Sequence, residues 1–343
     1  MMVVDRGAVV KSMTPNQPSH DSVTVRGLRA PAYTDENGKM TDNYLIAIAS
    51  YRRPSALLHL LDSLATAVGS VAAEVVVVDN DAEESARAVA TNHPLRPLYL
   101  VEPEPGIAAA RNRALDHFSD RHQAIIFVDD DEWVSPEWLS TLTTYARRAQ
   151  ADVVQGPVVS VFPGETPKWV ERGGFLQRRI QESGLELPSA ATNNTLLTRE
   201  AWHRAGSPRF DPSFSLTGGS DWDLFWGIRK SGCRIVFCAE AVVYEDVPNN
   251  RLSLRWTRRR AIRNGIAETR IRRKHGDLSP AWLAVSVLRA GYSVFALGLG
   301  LAMGRGLQAE PFVNLFKGYG RLAALFNYRI HEYARPTSSS AAS

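Results

Sequence analysis

Asp129, Asp130 and Asp131 directly follow the apolar run Ala124–Val128. Three carboxylates at a strand end are costly unless a cation or a hydrogen-bonding ligand offsets their charge, so the pattern points to metal-assisted chemistry. In isolation, a solvated turn before a helix fits them equally well. A second apolar run, Val75–Val78, ends in Asp79, Asn80 and Asp81. In an open parallel sheet two such ends can converge on one crevice, where Asp79 can bond a base or ribose while the later acids hold a cation. Cations held this way bridge phosphates, which makes a nucleotide diphosphate the expected ligand. Further along, Gly218 and Gly219 allow a tight turn, and Asp221 at the start of the following helix can project into a cleft.

The elements that must position these acids alternate. The pattern predicts strands over Tyr44–Ala49, Ala73–Val78, Leu98–Val101 and Ala124–Val128, with helices over Ser55–Val68, Ala82–Asn92 (Asp81 as cap) and Gly106–Phe118 between them. A helix over Pro136–Ala149, a strand over Asp152–Val161, a pocket-shaping loop over Phe162–Gly174, a short apolar stretch from Asn194 to Leu197 and a helix running to Lys230 follow. Strands alternating with helices indicate right-handed βαβ units, hence an α/β domain whose ligands gather at the strands' C-terminal ends.

With 44% hydrophobic and 22% charged residues the chain can bury a sizeable core. Two cysteines, Cys233 and Cys238, suffice for neither a disulfide framework nor a zinc quartet, and a reducing compartment fits best. The first 42 residues lack an apolar run and are expected to be a flexible segment rather than a signal peptide. Residues 251–275 carry ten Arg or Lys and one acid, Glu268, whereas the rest of the chain nets −5.

Tyr44–Arg53, Val78–Asn80, Gly106–Asn112, Asp129–Asp131 and Gly219–Leu224 stand in the order and spacing of family-2 glycosyltransferases with the GT-A fold. Residues 43–260 resemble that family, and most of all its succinoglycan-type glucosyltransferases, through Val128–Leu139, Gly156-Pro157 with Pro167–Trp169, and Glu245–Leu254. The resemblance implies a mostly parallel sheet flanked by helices. It also implies a UDP-sugar donor, glucose by likeness, and Mg²⁺ or Mn²⁺ as cofactor. Ser50, Arg52, Asp79, Arg111, Asp129, Asp130 and Asn194 then fall on the donor side. Asp79 matches the uracil contact, Asp129 the sugar or ribose contact, Asp131 the metal ligand, and Asp130 the variable middle position. Asp221 matches the catalytic base, Trp222 and Asp223 lie on the acceptor side, and Asp223 is the rival base. One base and one metal imply inversion and a β-linked product. Ser220 replaces a frequent Glu, and Tyr244 stands where His is common, leaving Glu245 or Tyr244 to take that role.

After the expected catalytic domain, 43–250, residues 251–334 read as a helical extension suited to a membrane, and 335–343 as a disordered tail. The basic segment can attract an anionic cytoplasmic leaflet at about 1 kcal/mol per cation. The apolar stretch Leu278–Gly304 is interrupted by Arg289, which leaves fewer than the ~20 residues a span needs and favours an interfacial or re-entrant helix. Phe312–Tyr328 reads as an amphipathic helix. The expected enzyme is cytoplasmic, at the inner face of the plasma membrane, acting on a lipid-linked oligosaccharide or polysaccharide acceptor. A haloacid dehalogenase-like phosphatase fits less well, because Trp133 stands where Thr or Val is required and the acids follow the fourth strand. A nucleic-acid-binding protein would leave the acidic strand ends without a role.

Overall fold

Runs of Val, Ile and Leu without an interior charge bury both of their faces, and here they build the middle of a seven-stranded sheet. The computed structural model describes residues 43–162, 164–215, 217–328 and 330; the expected flexible segment, 1–42, and tail, 335–343, lie outside them. The first half comprises β1 (Tyr44–Ser50), α1 (Pro54–Ala67), β2 (Ala73–Asp79), α2 (Arg87–Asn92), β3 (Leu98–Val101), α3 (Ile107–His117), β4 (Ala124–Asp129), β5 (Glu132–Val134) and α4 (Trp138–Ala149). There follow β6 (Val153–Gln155), β7 (Val158–Val161), α5 (Lys168–Gly173), β8 (Thr195–Thr198), α6 (Arg199–Arg204), α7 (Ser220–Lys230), β9 (Ile235–Phe237) and β10 (Val243–Asp246). Three helices end the described chain: α8 (Leu254–Lys274), α9 (Pro280–Ala302) and α10 (Ala309–Ala323).

The main sheet runs β3-β2-β1-β4-β8-β6-β9, and β5-β10-β7 form a second, three-stranded sheet. Strand β1 pairs in parallel with β2 and β4, in a register that sets Ser50 opposite Asp79 and Ala49 opposite Asp129. Both acidic strand ends thus finish level at one edge. On one face, Ile46, Ile48, Val75, Val77 and Ile126 pack against Leu57, Leu61 and Leu64 of α1 and Leu139 and Leu142 of α4. On the other, Leu45, Val76, Ile125 and Phe127 pack against Ala110 and Ala114 of α3 and Leu224, Phe225 and Ile228 of α7. Each fully buried Leu or Ile contributes on the order of 2 kcal/mol.

Three expectations change. The single strand expected over 152–161 breaks at Gly156-Pro157 into β6 and β7, which belong to different sheets. A Cβ on Gly156 would lie 2.2 Å from the Ala241 carbonyl oxygen, so only glycine lets the chain pass there. The helix expected from Ala82 begins at Arg87, because Asp79 draws in the Ala86 N–H at 2.7 Å and folds residues 81–86 into a loop. Within the expected loop, Lys168–Gly173 forms the short helix α5.

Ser253 and Ser279 cap α8 and α9, their hydroxyls accepting the N–H groups of Trp256 and Trp282. Helices α8 and α10 cross at glycine. A Cβ on Gly265 or on Gly320 would sit 2.1 Å from the carbonyl oxygen of Lys317 or Ile262, respectively. Beside this crossing, Arg321 donates to Glu268 at 2.8 Å and to Ser286 of α9 at 3.2 Å, a buried link joining all three helices. Helix α9 continues unbroken through Arg289 for 23 residues, long and apolar enough to cross a membrane. Arg289, which interrupts the apolar stretch, lies exposed on this helix without breaking it.

Candidate active site

The level strand ends bring together Ser50, Asp79, Arg111 and the three consecutive acids, and exposure separates the acids into two kinds. The side chains of Asp129 and Asp131 are 39% and 24% exposed, whereas Asp130 is 7% exposed. Asp129 accepts from Arg111 Nη2 at 3.1 Å. Asp131 faces Arg53 Nη1 at 2.7 Å and Arg251 Nη2 at 3.6 Å. Burial, then the Asp129 charge, raises the Asp131 carboxyl above the usual range, while Arg53 pulls it back.

Asp130, expected on the donor side, turns inward. It accepts from Ser50 Oγ at 2.9 Å, the Tyr51 N–H at 3.4 Å and Arg53 Nη1 at 3.1 Å, so it ties the end of β1 to the end of β4. Burial above all, with the Asp131 and Asp129 charges added, pushes its carboxyl up to about 6 against the pull of Arg53 and Ser50. Ser50 is itself buried and spends its hydroxyl on this bond.

Two further residues expected on the donor side lie in internal networks. Asp79 is fully buried, and its oxygens take the Asp81 N–H at 3.1 Å, the Ala86 N–H at 2.7 Å and the Tyr99 hydroxyl at 2.9 Å. These bonds shape the loop at the strand end. Asn194 is likewise fully buried at φ 70°, accepting from Trp138 Nε1 at 2.8 Å and donating to the carbonyls of Pro157 and Ala241. It locks the break between β6 and β7. Arg52 remains half-exposed at the crevice rim, paired with Asp81 at 2.9 Å and Glu83 at 3.1 Å.

On α7 the two candidate bases part. Asp223 is buried, gripped by Lys274 Nζ at 2.6 Å and His275 Nε2 at 2.9 Å, and so fastens α7 to the end of α8. Asp221, at the helix start after Gly218 (φ 77°) and Gly219 (φ 99°), accepts the Trp222 N–H at 2.8 Å and, among the described residues, pairs with no cation. Trp222 is half-buried, with Lys317 Nζ 5.3 Å over its ring.

Four residues that the sequence patterns left unmarked join the site. Arg53 bridges Asp130 and Asp131. Glu132 accepts the Asp129 N–H at 2.8 Å, and burial with the nearby Asp129 charge raises its carboxyl well above the ordinary value. Arg251 joins Asp131 to Glu245, which it meets at 2.6 Å, and Arg178 holds the other Glu245 oxygen. Alternation along β10 turns the neighbours apart: Glu245 faces this network, while Tyr244 stacks on Trp133 at 5.7 Å. Beneath Asp129 and Arg111 lies a water-sized cavity of about 10 Å³, walled by Thr192, whose buried hydroxyl has no partner among the described residues.

Among the described residues no three His, Cys, Asp or Glu side chains converge as a self-sufficient metal cage. The donor set instead fits a divalent cation held by one or two carboxylates and completed by phosphate oxygens.

Fold and site together define a nucleotide-sugar type of α/β enzyme, and comparison with known proteins agrees. The family model "Glycosyl transferase family 2" matches residues 45–205. Succinoglycan biosynthesis protein ExoM of Rhizobium meliloti (strain 1021) is 38% identical over 262 residues, 73% of this chain and 82% of that protein. The chain therefore belongs to glycosyltransferase family 2 and has a GT-A-like fold. Glycosyltransferase GlyA of Streptococcus pneumoniae serotype 4 is 28% identical over 126 residues, 36% of this chain and 18% of its own length. Among solved structures, S. aureus TarS 1-349 in complex with UDP-GlcNAc is similar over 83% of this chain and 92% of that one, at 14% identity and a TM-score of 0.48.

Proposed function

We propose that this glycosyltransferase moves a sugar, glucose by resemblance, from a UDP donor to a lipid-linked oligosaccharide or polysaccharide acceptor, with inversion, in exopolysaccharide or other cell-surface glycan synthesis. The observation that carries the reading is the contrast at the crevice. Asp129, Asp131 and Asp221 are the partly exposed acids, while Asp79, Asp130 and Asp223 are buried in internal networks. ExoM, whose name assigns it to succinoglycan biosynthesis, supports the polysaccharide setting.

Asp221 takes the proton of the acceptor hydroxyl as that oxygen attacks C1 of the sugar. The C1–O bond to the diphosphate breaks and its electron pair leaves with the diphosphate, so a single in-line displacement converts an α-linked donor into a β-linked product. Arg111 orients Asp129 toward the sugar or ribose. Asp131, with Asp129 beside it, would hold a Mg²⁺ or Mn²⁺ ion, which when bound would supply Lewis-acid neutralisation of the departing diphosphate. Trp222 offers the acceptor a half-exposed ring next to the base.

Residues 43–250 form the catalytic unit in this reading and 251–334 a membrane-associating extension at the cytoplasmic face. Helix α9 buries Ser286, Ser293 and Gly300, a seam one residue wide at heptad spacing, and exposes Leu288, Tyr292 and Phe295 on its outer side. The basic segment is partly committed within the protein, Arg251 to Glu245 and Lys274 to Asp211 and Asp223, which argues against a nucleic-acid groove.

The test is a screen of UDP-sugars against membranes carrying lipid-linked acceptors, with and without EDTA. Transfer from one donor, abolished by chelation, is the expected result. Undiminished transfer after chelation overturns the metal assignment, and binding to DNA in preference to anionic liposomes overturns the membrane role.

A further inference from the structure

A cavity of about 190 Å³ lies between the second sheet and the extension, and Arg251, which also faces Asp131, forms part of its wall. Arg178, Arg251 and Arg260 line it together with Glu245, Trp256 and Asn264, and Val313 of α10 closes one side. The volume is many times that of the water-sized cavity beneath Asp129 and leaves room for a diphosphate group.

Its charge is unbalanced. Glu245 is the lone carboxylate on the wall and is already shared by Arg178 and Arg251. Arg260 lies 5.0 Å over the Trp256 ring and, among the described residues, pairs with no carboxylate. Burial first, then the Arg178 and Arg263 charges, lowers its pKa to about 10. Guanidinium groups gathered around a cavity repel one another unless an anion joins them, and their planar forks match phosphate oxygens two at a time.

We propose that this cavity, which shares Arg251 with the Asp129 and Asp131 crevice beside it, binds a phosphate or diphosphate ester directly through Arg178, Arg251 and Arg260. Two sources carry that chemistry: the diphosphate of the donor and the diphosphate that joins an acceptor glycan to its lipid. Only the choice between them rests on the transferase reading; the binding itself does not.

The full-length protein titrated calorimetrically with inorganic pyrophosphate in EDTA tests the site without a metal. Saturable binding is expected, weakened about ten- to a hundred-fold in Arg260→Gln, as for loss of a charged hydrogen bond, and partly restored in Arg260→Lys. Among the described residues Arg260 holds no ion pair, so its replacement leaves their salt bridges in place. Arg255→Gln, on the exposed side of α8, is expected to bind as the wild type does. No saturable binding by the wild type, unchanged binding in Arg260→Gln, or equal weakening in Arg255→Gln overturns the site. Repeating the titration with saturating UDP identifies the source. Exclusion of pyrophosphate assigns the cavity to the donor diphosphate, and simultaneous binding assigns it to the acceptor; both outcomes support the arginine site. Inactivity toward every sugar in the screen would leave the titration result standing.

Discussion

Asp221 and Asp223 stand two residues apart on α7, yet one is partly exposed with no cationic partner among the described residues and the other is held between Lys274 and His275. Losing a general base costs about 10²- to 10⁴-fold in turnover. Asp221→Asn should therefore lose kcat on that scale while keeping its affinity for UDP, measured by titration. Asp223→Asn should act through structure: removing one partner of a buried ion pair costs about 3–5 kcal/mol, seen as a lower melting temperature, with the pH profile of the remaining activity unmoved. Full activity in Asp221→Asn would overturn its role as base. The acids themselves were legible in the sequence, because they close apolar runs and follow a double glycine. Their orientations were not. Asp130 looked dispensable as the middle of a motif, but its partners Ser50 and Arg53 lie nearly 80 residues away, beyond any local pattern. Asp79 and Asn194 turned inward for the same reason, each satisfied by donors from other segments.

Elements fix where those residues meet, and here register does the work, since Ser50, Asp79 and Asp129 end level only because β1 pairs in parallel with both neighbours. At the opposite end of β2, Glu74 is held by His117 at 2.7 Å, His122 at 3.2 Å and Arg121 at 3.1 Å. The hydrogen bond from His122, followed by that from His117, outweighs burial and lowers its pKa from 4.5 to about 2. A carboxyl whose pKa falls on folding adds stability that is complete above its unfolded pKa and is lost as pH drops through the folded one. Glu74→Gln should thus cost about 2–3 kcal/mol at neutral pH and flatten the acid limb of a stability–pH curve between 4.5 and about 2. Activity per folded molecule should be unaffected, because the cluster lies away from the crevice. The crossing of α8 and α10 makes a second demand: Gly265→Ala or Gly320→Ala must push the helices apart, at a cost of about 1–3 kcal/mol in chemical denaturation. Gly298→Ala in α9, with nothing within 4 Å of the new methyl, should be neutral or stabilising. Alternating strands and helices were readable from periodicity. The break at Gly156-Pro157 was not, because its cause is the backbone of residue 241 and the side chain of residue 194.

Over the whole molecule the charge asymmetry seen in the sequence resolves into two uses. Part of the basic segment pins the extension to the catalytic core, through Arg251, Arg270 and Lys274, and part lies outward, at Arg255, Arg258 and Arg273. The apolar helix beside it was legible in the sequence as the stretch Leu278–Gly304, within which α9 runs from Pro280 to Ala302. With Leu288 and Phe295 71% and 66% exposed, nothing in the protein uses these side chains, so replacing them should leave the fold intact. Each buried apolar side chain is worth about 1.5–3 kcal/mol on leaving water, and losing two of them weakens partition by about a hundred-fold or more. The double variant Leu288→Glu, Phe295→Glu should thus fail to sediment with vesicles containing anionic lipid while melting at the wild-type temperature. Raising the salt should release the wild type only in part, because screening removes the attraction of the arginines and leaves the apolar contribution. If the double variant partitions as the wild type does, α9 does not enter the membrane and its outer face must serve another contact.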